Sequence, residues 1–139
     1  MRYYLDTNIL IYVLSESKDD ISVAVKNILA DYSNIFFASS VAVEELIFLH
    51  KIGKIDFRKY KDIEELVSCL RSLYGIETVF FNDFHYKQYL ALQIEETHKD
   101  MNDHLIISQA ISDKISLISS DSKFPLYEKQ NLKFVFNKR

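Results

Sequence analysis

The chain has 139 residues, 48% apolar and 27% charged, with a net charge of −3. That length fits one domain, residues 1–139, able to bury a core. The composition excludes a disordered or fibrous protein, and the negative charge argues against a general nucleic-acid binder. No uncharged stretch reaches the roughly 20 apolar residues of a membrane span. No secretory signal is evident, and the lone Cys69, in an apolar helical stretch, can form no internal disulfide and reads as a core filler. A cytoplasmic location without membrane contact is therefore expected.

Residues 2–6, RYYLD, predict a short strand, and residues 7–16, TNILIYVLSE, a helix directly after it. Residues 19–32 carry apolar positions at Ile21, Val25, Ile28 and Leu29, a helical period with Asp19 or Asp20 as its cap. IFFAS (35–39) predicts a second strand, and residues 40–53 a helix entered by Ser40 and stopped near Gly53. Residues 60–75 predict a further helix ending at Gly75, then IETVFF (76–81) a third strand. Residues 83–98 and 101–114 read as helices, SLISS (116–120) as a strand and LKFVFN (132–137) as the last strand. Strands alternate with helices throughout, which predicts an α/β fold with a parallel sheet covered on both faces. Such sheets place their sites at the carboxyl ends of strands. Asp6 and Asp121 occupy two such ends.

Two further acids break a helical pattern. In the helix after the second strand, Val41, Leu46, Phe48, Leu49 and Ile52 define an apolar stripe at 100° per residue, and Glu45 falls in its middle. Glu44 falls at its edge. Asp103 precedes Ile106, Ile107, Ala110 and Ile111 by three, four, seven and eight residues, the centre of another apolar face. Burying a carboxylate unpaired is costly. Three of the acids have a structural explanation: Asp103 as a cap or first-turn acid, Glu45 paired with a buried Lys or Arg, Asp6 in an Asx turn. Taken together they suggest convergence, with no Lys or Arg obviously placed to neutralise them. Four carboxylates cannot all stay ionised side by side without a cation. Oxygen ligands suit Mg²⁺ or Mn²⁺, and such a cluster is suited to phosphodiester hydrolysis.

YLDTNILIY, SSVAVEELIFLHKIGKI, NDHLIISQAI and LISSDSKF, in this order and spacing, resemble the successive motifs of PIN-domain ribonucleases, and more closely those of the VapC toxins of bacterial toxin–antitoxin pairs. The resemblance covers nearly the whole chain. It implies a three-layer α/β/α sandwich around a mainly parallel sheet, with Asp6, Glu45, Asp103 and Asp121 as the acidic quartet. It implies that Asp6 and Asp103 are the strongest ligands of a Mg²⁺ or Mn²⁺ ion, and that Glu45 and Asp121 act directly, through water, or as base. Asn8 would orient Asp6 or a metal-bound water, and Ser119 would support the acids. An RNA substrate, a homodimer and a small antitoxin follow from the same resemblance. Tyr12, Val13 and Phe48 are candidates for the antitoxin groove, with core packing as the competing reading.

Residues 51–61 hold five cations against one acid, so Lys51, Lys54, Arg58 and Lys59 are candidate RNA contacts if the segment is more than a solvated face. Asp100 reads as a loop or cap acid, and His98 and His104 lack the spacing of a metal motif. A phosphatase with Asp6 as nucleophile would need an acid at position 8, where Asn8 stands. Two alternatives to a toxin nuclease are a PIN fold kept for RNA or protein binding without cleavage, and a free RNA-processing nuclease.

Overall fold

The structure, a computed structural model, describes residues 1–57 and 59–138. In chain order it consists of β1 (Arg2–Leu5), α1 (Thr7–Leu14), a 3-10 turn (Lys18–Asp20), α2 (Val23–Ala30), β2 (Ile35–Ser39), α3 (Ser40–Lys51), α4 (Ile63–Ser72), β3 (Ile76–Val79), α5 (Asp83–Ala91), α6 (Met101–Asp113), β4 (Ser116–Ser119), a 3-10 segment (Phe124–Gln130) and β5 (Phe134–Phe136). The strands form one sheet in the order β3-β2-β1-β4-β5, and every pairing is parallel. Successive strand residues point to opposite faces. Tyr3, Tyr4 and Leu5 of β1 are all buried, as are Leu117, Ile118 and Ser119 of β4. Both faces of the central strands are therefore covered, as the expected α/β/α sandwich requires. No helix of the described residues is long and apolar enough to cross a membrane.

The sheet order places the site. From β1 the chain passes to β2 on one side, and from β4 to β5 on the other. The two connections diverge at the carboxyl ends of β1 and β4, which pair in register from Tyr3–Ser116 to Leu5–Ile118. This is the switch point at which open α/β sheets leave a crevice. Asp6 directly follows β1, and its backbone N–H donates to the Ile118 carbonyl at 3.0 Å.

Several predicted boundaries move. Ser22, not Asp19 or Asp20, caps α2, its hydroxyl accepting the Val25 N–H at 3.2 Å; the two aspartates are used up in the preceding 3-10 turn. Ser39 rather than Ser40 caps α3. Gly53 and Gly75, at φ +77° and +66°, take the left-handed conformation that ends α3 and α4, as expected of glycines there. The α3 stripe is only half right. Val41, Ala42, Val43 and Leu46 are buried, but Phe48 is 57% and Ile52 49% exposed, because burial is concentrated in the first two turns. Helix α5 stops at Ala91, short of the predicted residue 98. Beyond it the backbone bonds to the 3-10 segment: the Gln93 N–H donates to Gln130 Oε1 at 2.9 Å and the Glu95 N–H to Tyr127 Oη at 3.2 Å. Cys69 is half-buried against the core.

Candidate metal centre

Asp6 is 3% exposed and caps α1. One carboxylate oxygen accepts the Thr7 N–H at 2.8 Å. The other accepts the Ser119 hydroxyl at 2.6 Å and the Asn8 side-chain amide at 3.3 Å. Asn8 in turn accepts the Ser120 N–H at 3.3 Å, and Ser119 Oγ accepts the Asp121 N–H at 3.0 Å. The ends of β1 and β4 are thus tied together through one carboxylate, and both residues expected to support Asp6 touch it. The Asx-turn reading of Asp6 holds, since its side chain accepts the Thr7 N–H and caps α1.

Asp103 stands in the first turn of α6, which Asp100 caps by accepting the Asp103 N–H at 3.3 Å. Its Oδ2 lies 2.9 Å from His98 Nε2, and His98 Nδ1 lies 2.9 Å from Tyr127 Oη. Tyr127 Oη also accepts the Glu95 N–H. With the tyrosine proton on His98 Nδ1, the neutral ring carries its proton on Nε2 and donates it to Asp103. Burial holds the His98 imidazole below the usual histidine range, which keeps the ring neutral near pH 7. His98 also joins Asp103 and Asp121 in a group whose possible ligand atoms all lie within 4.8 Å of one another. Sequence reasoning gave His98 no part here. It sits in the irregular segment after α5, where no period relates it to Asp103. His104 is structural, its Nε2 lying 2.9 Å from the His98 carbonyl oxygen.

Glu45 approaches from α3, and its Oε2 accepts the Asn102 side-chain amide at 3.1 Å. Burial raises its pKa, and Asn102 opposes the rise. Burial pushes Asp6 up to about 7, with the charges of Asp103 and Glu45 adding to it against the Ser119 hydroxyl. Burial pushes Asp103 up to about 8, reinforced by Asp100, Asp121 and Glu45. The four acids therefore feel one another. Among the described residues none of them pairs with a Lys or Arg; the one ion-pair geometry is Asp103 with His98. The buried Thr7 hydroxyl sits close enough to Glu45 to oppose its rise. A crowded set of hard oxygen donors with raised proton affinity and no Lys or Arg partner among the described residues fits a hard divalent cation.

The basic segment is not tied to these acids. Lys59 pairs with Glu16 at 2.7 Å, and its ammonium lies over the rings of Tyr60 and Tyr74. Lys51 and Lys54 are exposed, and Arg58 lies outside the described residues.

Over residues 3–130 the sequence matches the PIN domain family. No curated protein sequence matches it. Among solved structures, VapBC2 from Rickettsia felis, bound to a DNA fragment from its promoter, is similar with a TM-score of 0.67 and 22% identity, covering 99% of this chain and 100% of that one. VapBC-1 from nontypeable Haemophilus influenzae has a TM-score of 0.65 and 20% identity, with both chains covered in full. VapBC-5 from Mycobacterium tuberculosis, described as a member of a family of toxin–antitoxin systems, has a TM-score of 0.61 and 20% identity over 97% of this chain and 98% of that one.

Proposed function

The chain belongs to the PIN domain family, and from that premise we propose that it is a Mg²⁺- or Mn²⁺-dependent endoribonuclease, the toxin of a VapBC-type pair. The observation that carries the reading is that Asp103 lies close to Asp121 and is raised by the charges of Asp121 and Glu45, while Asp103 and Glu45 raise Asp6, with no Lys or Arg ion-paired to any of the four among the described residues. Asp6, Asp103 and Asp121 hold the ion, and Glu45 joins them directly or through water. A bound divalent cation supplies charge neutralisation at the phosphodiester and a more acidic attacking water.

The rest is done by side chains. The Ser119 hydroxyl and the Asn8 amide fix one oxygen of Asp6, and the Thr7 N–H fixes the other. His98 fixes one oxygen of Asp103 and leaves the second for the ion. Glu45, held at one oxygen only by Asn102 and raised by burial, is the group suited to take a proton from the attacking water.

On this reading the protein is neutralised by a small antitoxin, in keeping with the toxin–antitoxin family to which a similar structure belongs, and it acts as a homodimer, as the family resemblance implies. Phe48 is exposed, and Tyr12 and Val13 wall a shallow cleft of about 320 Å³; these are the apolar contacts offered to an antitoxin. A PIN fold kept for binding alone would not need all four acids.

The test is cleavage of mixed cellular RNA by purified protein with Mn²⁺, with Mg²⁺ and with chelator, wild type beside Asp6→Asn. Metal-dependent cleavage lost in the variant is expected. Equal cleavage by both proteins would remove the quartet from the chemistry.

A further inference from the structure

A second cleft, of about 530 Å³, opens between α5, α6 and the loop before β5. Lys87, Lys114 and Lys133 stand around it, each exposed, and none of their ammonium groups has an ion-pair or hydrogen-bond partner among the described residues. No acid lines it, in a chain whose net charge is −3. The Phe84 ring, 76% exposed, forms part of its wall, and the Gln88 and Asn131 side chains add hydrogen-bonding groups. Three like charges gathered at one concavity raise the local potential and repel one another unless an anion is shared between them. An exposed ring beside them is a surface on which an unpaired base stacks.

We propose that this cleft is an RNA-docking site, separate from the acidic cluster, that takes the phosphodiester backbone of a single-stranded segment on Lys87, Lys114 and Lys133 and a base on Phe84. The proposal rests on the nuclease reading and says where the substrate is gripped. The cleft is joined to the acids by a pinned wall. Ala91 lines it, and the chain from Ala91 to His98 leads to the residue bonded to Asp103, spanning at most about 25 Å when fully extended. Gln93 and Gln130 hold that wall through two hydrogen bonds of 2.9 Å, and Tyr127 holds Glu95 and His98. Charge selects RNA over a second copy of the chain: two such clefts would repel, and lysine is depleted from protein–protein contacts. The expected basic segment is a weaker candidate, since Glu16 already neutralises Lys59.

The experiment measures binding of a fluorescein-labelled oligouridylate 12-mer by anisotropy, in chelator, across a salt series. Wild type is compared with Lys87→Glu/Lys114→Glu/Lys133→Glu, with Lys26→Glu on α2 as control. Each lost phosphate contact on a single strand removes about 0.7 from the slope of log affinity on log salt, so the triple variant should lose about 2 from the slope and at least tenfold in affinity near 0.1 M salt. Lys26→Glu should bind as wild type does. Phe84→Ala should weaken binding with the slope kept. RNA should also protect the three lysines of the wild type from reductive methylation, a readout that needs no variant to fold. Wild-type slope in the triple variant, or no protection, overturns the cleft while leaving the nuclease reading intact. No binding of the 12-mer by wild type, with no cleavage of cellular RNA, overturns both. Displacement of the 12-mer by polyglutamate at equal charge, or a changed sedimentation coefficient in the triple variant, assigns the cleft to a protein partner and also overturns it.

Discussion

Ser119 is the joint of the site. Its hydroxyl donates to Asp6 at 2.6 Å and accepts the Asp121 N–H at 3.0 Å, so one buried oxygen sets the spacing of two acids. Ser119→Ala removes both bonds, and the 3.4 Å bond from the Asn8 amide, and leaves the Asp121 N–H without its partner. Groups that orient a metal's ligands contribute roughly 10–100-fold to its affinity. Ser119→Ala should therefore weaken Mn²⁺ binding by about that factor, read from the free-ion signal in electron paramagnetic resonance, and Ser119→Thr should restore it. Equal affinity in all three proteins would reduce the hydroxyl to a space filler. The Tyr127–His98–Asp103 chain makes a related claim. His98→Ala and Tyr127→Phe should both weaken Mn²⁺ binding, and the double variant should be no weaker than His98→Ala alone, because the tyrosine acts only through the imidazole. Additive losses would separate the two residues.

At the scale of elements, α6 brings together a cap and a repulsion. Asp100 caps the helix and also raises Asp103 by its charge. Asp100→Asn keeps the cap and removes the charge, whereas Asp100→Ala removes both. Losing a cap costs about 1 kcal/mol, so urea denaturation in chelator should place Asp100→Ala about that far below Asp100→Asn. Indistinguishable curves would mean that the cap contributes nothing. Elements also decide what the sequence revealed. Asp6 and Asp121 could be read because strand ends follow directly from the alternation of strands and helices. Asp103 could be read because α6 keeps its period, with Ile106, Ile107, Ala110 and Ile111 all buried. Glu45 was found on a stripe that is itself partly wrong, since Phe48 and Ile52 face outward. It stood out because the centre of that stripe still borders the buried first turns of α3. His98 could not be read, because long-range bonds to Tyr127 and Gln130 place the segment after α5, and no local period records them. The lysine cleft escaped for the same reason: Lys87, Lys114 and Lys133 come from three separate stretches of chain.

For the whole molecule, the acidic cluster opposes folding whenever it is charged and empty. Asp6 and Asp103 titrate at about 7 and about 8 in the fold, against an ordinary value of 3.8. A raised value means that the folded state holds protons that the unfolded state has released. Stability from these groups is complete below about pH 4 and is lost as pH rises through 7 and 8. Glu45 acts in the same direction. The lowered values of His98 and His104 act oppositely below about pH 6.5, and the rises of Asp6 and Asp103 to about 7 and about 8 outweigh them; Glu16 and Asp31 also act oppositely at acid pH, but both groups are exposed, where solvent screening leaves little effect. In chelator, the melting temperature should therefore fall as pH goes from about 5 to about 8.5, and Asp103→Asn should flatten that fall. Mn²⁺ binds the folded state and competes with the same protons, so its stabilisation should be small at pH 5 and large at pH 8. The decisive comparison is the pair of melting curves against pH with and without Mn²⁺. Curves that diverge toward high pH mean that the protons and the ion share one site. Parallel curves would mean that the ion binds elsewhere, and that the acids meet at the switch point of the sheet for some purpose other than holding it.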